Sequence, residues 1–258
     1  MKCDYHFSNL GKFFKLLKEK IFLNGMVKRV LLFLLTIVLF SCSNDEEPFS
    51  GLTSYDEDVI EYFCEVALGL EFGGTPEVTR KWKTEMRVFV GGNKTPALVN
   101  ALNGIVSEIN TLATDGFAIS IVADSSEMNY YLFFGPGDQY AKIYPSQAGL
   151  VNTNWGLFNI YWNNFNQIQS GSMYVDTERA SDDEERHLLR EELTQSLGLG
   201  KDSGRYPDSI FQIAWTTTAT YANIDKDLIR LLYHPEMETG LARSNTQSLL
   251  AQILLSEK

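Results

Sequence analysis

Cysteine and histidine, the side chains that most often hold metals or act as nucleophiles and bases, are scarce here: three of each in 258 residues. So few cysteines exclude a disulfide-stapled scaffold. Basic residues are also short, 22 Lys and Arg against 33 Asp and Glu, a formal net charge of −11. That balance excludes a nucleic-acid binder, which needs a basic face to meet phosphates. There is no nucleotide-binding glycine loop, no Ser/His/Asp set, no internal repeat and no low-complexity tract. The longest apolar run, Leu31 to Phe40, is too short for a mature membrane-spanning helix, which needs about 20 residues.

That run belongs to a targeting segment, which must be set aside before the fold is considered. From Met26 the chain reads MVKRVLLFLLTIVLFSCSNDEE, with Lys28 and Arg29 forming a basic start. Leu39-Phe40-Ser41-Cys42 resembles a lipobox, although Phe40 is bulkier than the usual residue at its place. We therefore expect a lipoprotein signal peptide over 26–41, a lipidated Cys42 that anchors the protein to a bilayer without spanning it, and an acidic tether over 42–53. Residues 1–25 read either as lying upstream of a true start at Met26 or as an extended n-region carrying Lys12, Lys15, Lys18 and Lys20. The expected location is the cell envelope, at the outer membrane on its periplasmic or surface face. Residues 1–41 hold seven Lys/Arg and two Asp/Glu, so the remainder keeps 15 basic and 31 acidic residues, a net charge of −16. Cys64 then stands alone in an apolar stretch, as a small core residue.

Residues 54–258 read as one α/β domain. Val59, Tyr62, Phe63 and Val66 repeat at helical spacing within a helix over 54–70. EMRVFV (85–90) reads as a strand and Gly91-Gly92-Asn93 as a turn. Thr95 caps a helix that Pro96 begins, with Leu98, Leu102, Ile105, Ile109 and Leu112 on one face. Strands are expected over 117–122 and 129–134, then over 156–162 and 172–176 around a turn at Ser170-Gly171. A long helix over 182–197 and two shorter ones, 225–233 and 244–255, complete the order.

The chemistry concentrates in the long helix. His187, Glu191 and Gln195 are four apart and share a face, Glu192 lies beside them, and Gly198 suits a helix end. The stretch Glu191-Glu192-Leu-Thr-Gln195-Ser-Leu-Gly198-Leu-Gly-Lys201-Asp202 resembles the metzincin motif His-Glu-x-x-His-x-x-Gly-x-x-His. Glu191, Gln195 and Lys201 then fall at the three zinc-ligand positions, Glu192 at the catalytic glutamate and Gly198 at the turn glycine. Thr218-Ala-Thr-Tyr221 lies where the methionine turn would fall, with Tyr221 keeping the tyrosine. With Pro207-Asp-Ser-Ile-Phe211 and LLYHPEMETG downstream, the pattern over about 80–255 is similar to the domain of unknown function 2927 family, whose members are often lipoproteins. The resemblance implies a zincin-like fold: a twisted mixed sheet, a long active-site-type helix and a small helical C-terminal subdomain.

It also frames the function. Zinc needs imidazole, thiolate or carboxylate at close range; glutamine is a poor ligand and lysine a repelling cation, so no cofactor is expected. Lys201 is expected to place its ammonium where the ion would sit, paired with Glu191 or Glu192. An unusual site drawing on His187, Asp202 or His234 would still admit zinc. The blandest alternative makes Glu191 and His187 a solvated helix face. Three functions follow: a non-catalytic, protease-derived lipoprotein that binds an extended peptide or an envelope protein; a hydrolase with a non-standard metal or catalytic centre, in which Glu192 is the general base; and a structural envelope protein.

Overall fold

A computed structural model describes residues 51–258 apart from Gly73. The signal segment, Cys42 and most of the tether lie outside the described residues. No helix among the described residues is long and apolar enough to cross a membrane.

Helix α1 (Ser54–Ala67) starts at a reciprocal cap. Asp56 N–H donates to Thr53 Oγ1 at 3.2 Å, and Thr53 N–H donates to the Asp56 carboxylate at 2.7 Å. Its apolar face is fully buried, and Leu52, just before it, packs against the same core. Cys64 is 1% exposed and burial pushes its thiol up to about 12, so it is an inert core residue, as the sequence led us to expect.

Strands β1 (Lys81–Trp82) and β2 (Met86–Gly92) lead into helix α2 (Pro96–Leu112), where Leu98 N–H donates to Thr95 Oγ1 at 3.2 Å. Then come β3 (Ile119–Val122), β4 (Tyr130–Phe134), helix α3 (Gly137–Ile143), β5 (Gly156–Trp162) and β6 (Gln167–Val175). Helices α4 (Asp182–Gln195), α5 (Asn223–Leu232) and α6 (Arg243–Ser256) follow. The sheet order is β1-β6-β4-β2-β3, all parallel, and β5 runs antiparallel along β6. Among the described residues β5 pairs with no other strand, so one side of it is a free edge. The fold is the mixed α/β arrangement expected, with a strand–helix–strand start, an antiparallel strand before the long helix, and a helical C-terminal part. Helices α5 and α6 pack against α1 and join the same hydrophobic core as the sheet.

One expected turn is elsewhere. Ser170-Gly171 lies inside β6, and the β5–β6 turn occupies 163–166. Asn163 builds it: its Oδ1 accepts the amides of Phe165 at 2.9 Å and Gln167 at 3.1 Å, and Asn166 takes the left-handed conformation at φ 59°. Gly171 is needed for a different reason. A side chain there would run into the Asn159 carbonyl on β5 and the Tyr130 ring on β4. Helix α3 and strand β1 were not foreseen. GDQYAKI carries no apolar stripe, and its first amide is tied down instead by Asp176, Gly137 N–H to Oδ2 at 3.1 Å.

Candidate functional site

Helix α4 carries the motif residues to a cleft of about 260 Å³, bordered by β5, by Glu71 and Phe72 after α1, and by the segment 212–215. A capping box starts the helix, with Ser181 N–H donating to Glu184 Oε2 at 2.8 Å, and four acidic residues occupy the first turn where the helix dipole favours them. Leu189 and Leu193 bury the opposite side in the core, and Leu188 packs into the core while also lining the cleft. The turn that follows α4 depends on Gly198, at φ 117°, whose Cα faces the Arg80 carbonyl so closely that any Cβ would collide with it.

His187, Glu191, Glu192, Gln195 and Asp202 all line the cleft. The alternative that makes Glu191 and His187 a solvated helix face is therefore overturned: their side chains are 12% and 3% exposed. His187 Nδ1–H donates to the Thr218 carbonyl at 2.7 Å, and Nε2 lies 3.2 Å from Glu191 Oε2. Both partners are acceptors, so the ring is best satisfied with both nitrogens protonated. Burial works against that charge, but Glu191 and the Thr218 carbonyl outweigh it and raise the pKa above the ordinary histidine value.

The carboxyl groups crowd one another. Burial, then the charges of Glu191, Asp202 and Glu71, push Glu192 well above the ordinary range, despite a hydrogen bond from the Phe158 amide. Gly156 on β5 makes room for this carboxyl; a side chain there would meet Glu192. Asp202 is raised to about 7, first by burial and then by Glu191 and Glu71, while the Gln195 Nε2 donor, at 2.6 Å, pulls the other way. Burial and Glu191 raise Glu71 as well. Burial and mutual repulsion thus favour the protonated forms of Glu192, Asp202 and Glu71, with His187 held between the Thr218 carbonyl and Glu191.

Three residues singled out in the sequence do not line the cleft. Lys201 does not replace a metal ion: its Nζ turns away to Glu77 Oε1 at 2.8 Å, because its amide is fixed by the Val66 carbonyl at 3.1 Å and its stem runs past Gly69. Tyr221 is buried behind α4, where its hydroxyl pairs with Thr194 Oγ1 at 2.7 Å and the Arg190 guanidinium lies 4.3 Å from its ring centre. His234 ends α5, and its Nδ1 accepts the Glu236 amide at 3.2 Å. Because the Lys201–Glu77 pair is solvent-facing, Lys201→Ala is expected to leave the thermal unfolding midpoint nearly unchanged. A large fall would restore Lys201 as a structural cation. Conversely, Glu71, Phe72, Ile213 and Trp215 line the cleft, and the Thr218 carbonyl orients His187, with no local sequence signal. Glu71 is brought in by a non-local bridge, its amide donating to the Gly200 carbonyl at 2.9 Å.

The donor set does not fit the zinc that the motif's resemblance implies. The second ligand position offers an amide already committed to Asp202, the third points at Glu77, and both nitrogens of His187 are engaged. Among the described residues no group of three or more His, Cys, Asp or Glu is arranged to hold a metal ion.

No curated protein matches the chain. Solved structures do, among them the structure of myroilysin, at 13% identity over 60% of this chain and 82% of that one, with a TM-score of 0.37. Residues 42–252 match the family model described as protein of unknown function, DUF2927. With the model covering most of its length and the EELTQSLGLG helix in place beneath an edge strand, the chain belongs to the DUF2927 family.

Proposed function

We propose that this protein is a cell-envelope lipoprotein, anchored at the outer membrane through acylated Cys42, whose zincin-like domain is non-catalytic and binds an extended segment of polypeptide along the free edge of β5. The observation that carries this reading is the juxtaposition of that edge with the cleft: Gly156, Leu157 and Phe158 of β5 line it directly. An unpaired strand edge presents alternating amides and carbonyls, and an added strand satisfies them while its side chains enter neighbouring pockets. The Phe158 amide, bonded to the Glu192 carboxyl, belongs to this outward-facing row.

The state of Glu192 weighs against the hydrolase alternative. A general base must be ionised to accept a proton from water, and burial with three acidic neighbours disfavours the ionised form of this carboxyl, while Gln195 and Lys201, at two of the ligand positions, are committed to Asp202 and Glu77 and leave no metal set to activate the water. A purely structural role leaves the acidic cleft without a purpose. The test is hydrogen–deuterium exchange with peptides selected on an array. Protection is expected at the outward amide of Ile160 on β5, and unfolded casein is expected to stay intact with or without added zinc. Casein cleavage that disappears in Glu192→Gln would replace this reading with the hydrolase; absence of protection at β5 would move the binding face elsewhere.

A further inference from the structure

Residues 212–220, which include one wall of the cleft, are held differently from the rest of the domain. Their flanks are fixed. Phe211 is fully buried, and its carbonyl accepts the Ser203 amide at 2.8 Å. Tyr221 is buried behind α4, and the Ala222 amide donates to Asp225 Oδ2 at 2.9 Å. Between these flanks no residue is buried, and among the described residues no backbone–backbone hydrogen bond reaches 214–221. Ile213 and Trp215 are 69% and 58% exposed. A segment with so few buried contacts and backbone bonds belongs to the least stable part of a fold, and it opens without unfolding the rest.

Side chains hold this strap down. Trp215 Nε1–H donates to Glu184 Oε1 at 3.1 Å, in the first turn of α4. The other oxygen of Glu184 caps Ser181, so the strap can leave α4 without undoing the cap. Further along, the Thr218 carbonyl accepts His187 Nδ1–H at 2.7 Å. The Trp215 ring meets the Trp155 ring edge to face, with centroids 5.2 Å apart. That contact has a steric consequence. Trp155 stands directly before β5, and its carbonyl accepts the Asp176 amide at 2.7 Å, so pairing on the β6 side extends to it. It belongs to the wall of the cleft that continues into β5, and Trp215 belongs to the opposite wall. The two walls therefore touch here. A polypeptide lying between two walls needs two interstrand spacings, about 9.5 Å, and rings in contact leave no such passage.

We propose that residues 212–220 form an autoinhibitory strap: Trp215, held against Trp155 and Glu184, closes the cleft end of the β5 edge, and a polypeptide docks there only when the strap swings out on its fixed flanks. This rests on the peptide-binding reading and adds its regulation. A site that is open about a tenth of the time binds about tenfold more weakly than the open site, so removing the contact that closes it tightens binding.

Two measurements on the full chain in detergent test this. In the free protein, the four tryptophans are replaced by fluorotryptophan and read by fluorine NMR relaxation dispersion, which reports the microsecond-to-millisecond motions of lids. Trp155 and Trp215 are expected to exchange between two environments. Trp82, fully buried, and Trp162, whose ring lies 4.4 Å from the Arg80 guanidinium, are expected to show no exchange. Trp215→Ala is expected to abolish the exchange at Trp155. In the second measurement a peptide array is screened with the wild type and with Trp215→Ala, and the strongest binder is titrated into both by fluorescence anisotropy. The variant is expected to bind about tenfold tighter, with its thermal midpoint nearly unchanged because the residue is exposed. Equal or weaker binding by the variant overturns the strap as a barrier and leaves strand binding intact. Absence of exchange at both Trp155 and Trp215 overturns it as a moving part. No binder for either protein overturns the peptide reading and the inhibitory role with it, and the fluorine exchange then reports the strap's motion on its own.

Discussion

The protein is expected to unfold at a higher temperature at pH 5.5 than at pH 8, opposite to the behaviour of a domain held by exposed carboxylate ion pairs. The groups responsible are Glu192, Asp202, Glu71 and His187, all with folded pKa values above their ordinary ones. Asp225 shifts the same way, raised chiefly by burial although it accepts Ser209 Oγ at 2.6 Å and the Ile210 amide at 3.0 Å. When the folded pKa exceeds the unfolded one, the folded state binds more protons between the two values, so stability falls as pH rises through that window. For the carboxyls the window opens near pH 4, and for Asp202 it closes at about 7. For His187 the stabilisation is complete below its ordinary value of 6.5 and is lost as pH rises through its raised one. One pKa unit corresponds to about 1.4 kcal/mol, so Asp202 alone accounts for on the order of 2 kcal/mol between pH 5.5 and 8, or about 4–8 °C in a domain of this size. Ordinary surface carboxylates are fully ionised across this range and do not compete. Asp202→Asn should flatten the slope. A midpoint that stays level or rises toward pH 8, or a slope unaltered in Asp202→Asn, would show that the cleft carboxyls are not crowded as described.

The second large effect is backbone-driven. Gly198→Ala is expected to cost about 3 kcal/mol, combining the strain of a side chain at φ 117° with collision against the Arg80 carbonyl. The same substitution at Gly104, on the exposed side of α2 with open space around it, should stabilise by about 1 kcal/mol, since alanine loses less backbone freedom in a helix. Urea unfolding of the pair measures both. Equal effects at the two positions would mean that the turn after α4 relaxes freely, and that the motif glycine does not fix the path from Gln195 to Asp202.

Where local chemistry decides, the sequence was legible. Thr95-Pro96 marks the start of α2, and Gly198 ends the motif helix; each signal lies within one turn of the feature it specifies. The face of α4 that meets the cleft was legible too, because a four-residue spacing needs no knowledge of the neighbours. The β5–β6 turn was not. Asn163 and Asn166 form it through side-chain and left-handed geometry, while the more conspicuous Gly171 serves close strand packing. The direction of Lys201 was equally hidden, since it depends on the Val66 carbonyl, 135 positions upstream, receiving its amide. Glu71 and Trp215 reach the cleft through tertiary contacts of the same kind. Sequence identified the helix that carries the chemistry; the partners across the cleft came only with the fold.

The Lys258 ammonium bonds to the Gly51 carbonyl and lies 2.8 Å from an Asp56 oxygen. The two ends of the described domain therefore adjoin at one corner, formed by α1 and α6. A short linker joining residue 258 to residue 51 would bridge them, and the chain could be opened instead at an exposed loop such as 163–166, giving a circular permutant with the same core. A reporter fused after residue 258 would emerge beside residue 51, at that same corner.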